Sequence, residues 1–177
     1  MARLARTGVA APSRHAAPSS PPEATATALP EVTLYCRGAC QGNPGPGGYA
    51  AVVAPAQGEP HVVSGGWPSA TNNAMELWAV IAGLRSLEHV SRVHIYTTSR
   101  YVLDGATRWL AEWEQNGWHT RDGREVQNAA LWQELAHVMG DHDLTWHHVP
   151  AAQPNRLLRL AARTAQDAAS RQGKDSG

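Results

Sequence analysis

Two strand-like stretches, Glu31 to Arg37 and residues 48–55, are separated by Asn43-Pro44-Gly45-Pro46-Gly47-Gly48. Such a run of turn-forming residues between alternating segments reads as a hairpin loop. It lacks the Gly-Lys-Ser/Thr ending of a phosphate loop, so its role is to reverse the chain. A third strand is expected at 60–66. From Asn73 to Leu87 the spacing of Met75, Leu77, Trp78, Val80, Ile81, Leu84 and Leu87 predicts an amphipathic helix. Thr71 and Asn72 stand before it as candidate caps. Beyond it come a strand at 93–97, helices at about 99–116 and 128–140, a strand at 144–149 and a last helix from Asn155. The order βββαβααβα, an antiparallel run followed by alternation, predicts an α/β domain with a mixed five-stranded sheet flanked by helices.

Particular residues sharpen that expectation. The stretch Tyr35-Cys36-Arg37-Gly38-Ala39 through Tyr49, then Thr71-Asn72-Asn73-Ala74-Met75-Glu76-Leu77, Ile95-Tyr96-Thr97-Thr98-Ser99-Arg100, Trp109 to Trp118, Leu131-Trp132 and Asn155 to Arg159 occur in this order. Together they resemble type 1 ribonuclease H, which cuts the RNA strand of RNA/DNA hybrids. The resemblance spans residues 31–172 and implies a ribonuclease H-like fold. It also implies a site of four carboxylates, Asp, Glu, Asp and Asp, holding two Mg²⁺ ions at the phosphodiester. Matched one by one, those positions are Arg37, Glu76, Thr98 and Arg159. Glu76 alone is a carboxylate. The loop Val149 to Asn155 is shorter than the family's and lacks its Gly-His segment.

Charge then argues about the site. Four carboxylates balance two Mg²⁺, whereas one Glu with two Arg is net positive without any metal, and a hard dication needs several oxygen ligands. The expectation is a degenerate site with no metal and no cofactor. Arg37 and Arg159 either neutralise Glu76 through ion pairs or receive an anion. Function is accordingly expected to be a ribonuclease H-like module that has lost the two-metal endonuclease activity and binds nucleic acid or regulates. The alternatives are a protein-interaction subunit, or a metal-independent enzyme acting on a small anion held by Arg37 and Arg159.

The resemblance also assigns nucleic-acid contacts. Asn43, Asn72 and Asn73 match asparagines that reach the minor groove of the hybrid, and Trp109 matches a Trp that packs on the DNA strand. Arg100 joins Arg37 and Arg159 as a nucleic-acid or anion contact. Each asparagine also suits a turn or helix start, and Trp109, Trp113, Trp118 and Trp132 suit a packed core. The segment matching the family's basic protrusion, Trp113 to Arg124, holds few cations. Beyond residue 30 there are twelve basic and fourteen acidic side chains. Phosphate contacts supply much of the affinity for nucleic acid, so binding to a hybrid or duplex is expected to be weak. A protein partner or small anionic ligand stays open.

Residues 1–30, rich in Ala, Pro and Ser, are expected to form a disordered leader, followed by the domain at 31–172 and a flexible tail at 173–177. The leader carries Arg3, Arg6 and Arg14 but no long apolar run, against a secretory signal. No stretch approaches the roughly 18 apolar residues of a membrane span, and a soluble cytoplasmic protein is expected. Cys36 and Cys40 are too few for a disulfide framework or a zinc site; Cys36 is expected to face the core, with a reactive thiol beside Arg37 as the minor reading. His147 and His148 should point to opposite sheet faces, one buried and one solvated, without a shared metal.

Overall fold

The computed structural model describes residues 6–7, 28–153 and 155–176. Its strands are β1 (Arg6–Thr7), β2 (Glu31–Cys40), β3 (Gly45–Pro55), β4 (His61–Ala70), β5 (Arg92–Thr97) and β6 (Asp143–His148). They form one sheet in the order β1-β6-β5-β2-β3-β4. Strands β2, β3 and β4 are antiparallel neighbours, while β2, β5 and β6 run parallel. Strands β2 to β6 are thus the expected mixed five-stranded sheet. To them β1 adds a two-residue edge, Arg6 pairing with Thr145 and Thr7 with Trp146. This corrects the expectation of a wholly structureless leader. The rest of that expectation, residues 1–5 and 8–27, lies outside the described residues.

Helix α1 (Asn72–Arg85) is capped by Thr71, whose hydroxyl accepts from the Ala74 N–H at 3.2 Å. Helix α2 (Arg100–Asp104) passes through a π-helical turn, Gly105–Trp109, into α3 (Leu110–Gln115). The expected single helix is therefore interrupted. The Trp132 ring covers Gly105 so closely that a Cβ there would lie 2.2 Å from it. Helices α4 (Ala129–Met139) and α5 (Arg156–Ser176) complete the chain. Helix α5 runs through residues 173–176, correcting the expected flexible tail.

Alternation along β2 sends Val32, Leu34 and Cys36 to one face, where Val93, Ile95, Leu144 and Trp146 join them. Leu77, Val80, Ile81 and Leu84 of α1 and Trp132 and Leu135 of α4 close this core, each large apolar side chain contributing about 1.5–3 kcal/mol on burial. On the other face Ala161 and Ala165 of α5 lie on Ala50 and Val52. Glycine permits that approach: a Cβ on Gly48 would stand 2.2 Å from the Ala165 carbonyl oxygen. Gly47 and Gly48 consequently belong to the hairpin ladder, opposite Cys40 and Ala39, and the turn is shorter than the sequence suggested. Among the described residues no helix is long and apolar enough to cross a membrane.

Candidate functional site

The parallel pairing of β2 with β5 ends with Cys36 opposite Thr97. Arg37 and Thr98 therefore follow side by side at the C-terminal end of the sheet. Immediately after Arg37 comes Gly38, where a Cβ would lie 2.5 Å from the Met75 carbonyl carbon and 2.6 Å from the Glu76 nitrogen. That contact draws the first turns of α1 onto the strand end and seats Glu76 beside Arg37. Sequence reasoning passed over Gly38 as a positioning residue; its signal was a glycine inside a strand, directly next to the substituted position.

Arg37 and Glu76 are each half-buried, yet the Arg37 Nε and the Glu76 Oε1 are sealed from solvent and have no hydrogen-bond partner. Burial pushes the Glu76 carboxyl up to about 7, against the opposing pull of the Arg37 guanidinium and the Gly38 amide. The expected ion pairs are not formed: neither Arg37 nor Arg159 bridges to Glu76 among the described residues. Arg159 lies exposed in the first turn of α5, its N–H bonded to the Asn155 carbonyl at 2.9 Å, and no interaction joins it to the Arg37 centre. Thr98 lies alongside Arg37 at the strand end.

Around this centre the loop and helix termini form a rim. Asn43 Oδ1 accepts the Asn72 N–H at 3.0 Å, tying the hairpin turn to the start of α1 and leaving Asn43, Asn72 and Asn73 exposed. Arg100 is exposed and meets Asp104 at 3.6 Å. Trp109 stands 41 % exposed, unlike the buried Trp132 and Trp146 or the partly buried Trp113 and Trp118, and so departs from the packed-core expectation.

The family's two Mg²⁺ ions require a set of anionic oxygens, and the residues present do not fit them. Glu76 is a lone carboxylate with one oxygen sealed off, Thr98 is neutral and Arg37 is cationic. Among the described residues no cluster of three His, Cys, Asp or Glu side chains forms elsewhere. Cys36 is fully buried, and burial together with nearby Glu76 drives its thiol far above the ordinary range, which removes the reactive-thiol reading. His147 and His148 are both half-buried rather than divided between core and solvent. His147 stacks on Tyr96 at 4.5 Å and approaches the His94 Nδ1 at 3.3 Å, a neighbour that the sequence did not reveal.

Comparison with known proteins agrees with this architecture. A family profile described as RNase H matches residues 30–170. A protein named Ribonuclease H from Polynucleobacter asymbioticus is 47 % identical over 120 residues, covering 68 % of this chain and 77 % of its own. Another of that name from Cupriavidus metallidurans is 48 % identical over 121 residues, covering 68 % and 83 %. The crystal structure of LC9-RNase H1, a type 1 RNase H with the type 2 active-site motif, superposes with a TM-score of 0.74 at 32 % identity, covering 81 % of this chain and 74 % of that one. LC11-RNase H1, solved in complex with an RNA/DNA hybrid, shares the fold with a TM-score of 0.60 at 21 % identity, covering 79 % and 97 %. These relatives overturn the expectation of a non-catalytic, metal-independent module that has lost its activity, because proteins nearly half identical to this chain carry the name Ribonuclease H. The reading founded on the substitutions alone is withdrawn, and the chain belongs to the ribonuclease H family.

Proposed function

We propose that this chain takes RNA/DNA hybrids as its substrate, as a ribonuclease H. The observation that carries the reading is the Asn43–Asn72 hydrogen bond of 3.0 Å, which holds three exposed asparagines on one rim beside Arg37 and Glu76. Amide side chains read base edges in a minor groove through both donor and acceptor. A wide, shallow minor groove belongs to A-form-like helices, which distinguishes a hybrid from B-form DNA by shape. Trp109, exposed on the helical side, offers a second contact. Support also comes from the named relatives and from the hybrid-bound LC11-RNase H1. Hybrids arise where RNA is made or used on DNA, and the reading carries a cytoplasmic location with it.

Within this reading the chain's own residues bind and orient. The asparagine rim fixes register, Gly38 holds α1 against the strand end, and Arg37 and Glu76 face the ligand from the sheet's C-terminal edge. No step is assigned to Mg²⁺, since the donor set does not fit it. The test pairs two measurements on the purified chain: fluorescence anisotropy with a labelled RNA/DNA hybrid against a DNA duplex of the same sequence, and gel analysis of the RNA strand with Mg²⁺ or Mn²⁺. Preference for the hybrid is expected, and the hydrolytic half stands on RNA-strand cleavage that Glu76→Gln abolishes. Equal, negligible binding to both duplexes would overturn the assignment, and absence of cleavage would remove its hydrolytic half.

A further inference from the structure

On the parallel neighbours β5 and β6, Val93, Ile95, Leu144 and Trp146 enter the core, so His94, Tyr96, Thr145 and His147 turn to the opposite face. Helix α5 packs on β2, β3 and β4, and these four side chains stay half-buried. Register sets His94 opposite Thr145 and Tyr96 opposite His147. The two imidazoles are therefore diagonal neighbours, with His94 Nδ1 standing 3.3 Å from His147 Nε2. We infer that this pair chelates a divalent cation of borderline softness, Zn²⁺ best, with water completing the coordination. It uses none of the strand-end residues Arg37, Glu76 and Thr98.

Distance selects the metal. Two imidazole nitrogens on tetrahedral Zn²⁺, each at about 2.0–2.1 Å, stand about 3.3 Å apart, whereas adjacent corners of a square-planar site with similar bonds stand about 2.8 Å apart. The observed separation matches the tetrahedral ion. Two nitrogens without an oxygen donor disfavour Mg²⁺ and Ca²⁺. In the metal-free pair one near nitrogen carries a proton; on binding, that proton transfers to the far nitrogen of its own ring, and both near nitrogens give their lone pairs to the ion.

The surroundings meet the other needs of such a pair. A metal-binding imidazole commonly donates its remaining N–H to a carboxylate, which fixes its tautomer. His94 Nε2 faces Glu31 Oε1 at 3.6 Å, which leaves Nδ1 as the lone-pair nitrogen. Tyr96 stacks on His147 at 4.5 Å with an interplanar angle of 11° and holds the plane of that ring. Burial and the neighbouring His94 keep His147 toward its neutral, ligating form. Arg92 meets Glu31 at 3.3 Å and Asp143 at 3.5 Å, so the charged group beside His94 sums to one negative charge and favours a cation.

The test uses the full chain, freed of metal with EDTA and exchanged into chelator-free buffer. Calorimetric titration with Zn²⁺ should show one saturable site, absent with Mg²⁺. Glu31→Gln should weaken Zn²⁺ binding about tenfold, and His94→Gln and His147→Gln should each weaken it further. His61→Ala, which removes an exposed histidine of β4, should leave it unchanged. Long-range ¹H–¹⁵N spectra of the parent chain read the ring nitrogens directly and decide the matter where a variant fails to fold: Zn²⁺ should shift the His94 and His147 resonances ahead of those of the other histidines. Absence of saturable Zn²⁺ binding, affinity unchanged in both His94→Gln and His147→Gln, or spectra in which other histidines shift first would each overturn the site.

Discussion

Replacing Glu76 by glutamine should make the protein more stable at alkaline pH and leave it unchanged in acid. The Glu76 carboxyl stands at about 7 against an ordinary value of 4.5, chiefly because burial penalises its charge. At about 1.4 kcal/mol for each tenfold change in proton affinity, the difference amounts to roughly 3 kcal/mol. Its direction follows from proton counting. Between pH 4.5 and 7 the folded protein retains a proton that the unfolded chain has released, so stability falls as pH rises, and the loss is complete above 7. Glutamine mimics the protonated acid at every pH. Glu76→Gln should therefore gain up to roughly 3 kcal/mol at pH 8, a rise of about 6–12 °C in melting temperature for a domain of this size, with no gain at pH 4. Urea unfolding of both proteins from pH 4 to 8.5 provides the measurement, and the difference curve cancels every other titrating group. A variant less stable than the parent at pH 8 would show that attraction between Arg37 and the ionised Glu76 outweighs desolvation. A gain independent of pH would show that the effect is not titration.

Gly38→Ala should cost about 1–3 kcal/mol, because its Cβ would drive α1 from the strand end at the Met75–Glu76 junction; it should weaken hybrid binding as well, and an unchanged melting temperature would refute the close contact. Trp146→Phe should cost less than Trp132→Phe by about 1 kcal/mol, since the Trp146 Nε1 is buried without a partner while that of Trp132 donates to the Tyr101 hydroxyl at 3.1 Å; the opposite order in chemical denaturation would refute it. Trp109→Ala should lower hybrid affinity by about 1–3 kcal/mol with little change in melting temperature, as expected of a side chain 41 % exposed; a large loss of stability with unchanged binding would return Trp109 to a packing role.

The succession of strands and helices was legible because each element carries its own periodicity, and the first strand's pattern placed Cys36 in the core, where it lies. Departures occur where a distant part of the chain sets the local conformation. Gly47 and Gly48 look like turn residues in sequence, yet they extend a strand because Met75 and α5 approach their backbone. The π-helical turn at Gly105–Trp109 reflects the Trp132 ring, 27 residues further along the chain, against a glycine that no local pattern singled out. The pairing of Arg6 and Thr7 along β6 uses backbone groups, so side-chain pattern gave no sign of it.

At the candidate site, residue identity was readable and side-chain geometry was not. Matching positions grouped Arg37, Glu76 and Thr98 at one end of the sheet, but opposite formal charges suggested bonded pairs, and Arg37 and Glu76 lie within electrostatic reach without bonding. Arg159 illustrates the same limit: its place in the first turn of α5 follows from the sequence, whereas the missing ion pair with Glu76 is a matter of side-chain geometry. An arrangement with a sealed cationic nitrogen and a sealed carboxyl oxygen costs roughly 1–3 kcal/mol for each unpaired group. The apolar core beneath α1 and the glycine contact at residue 38 are able to hold it against that penalty.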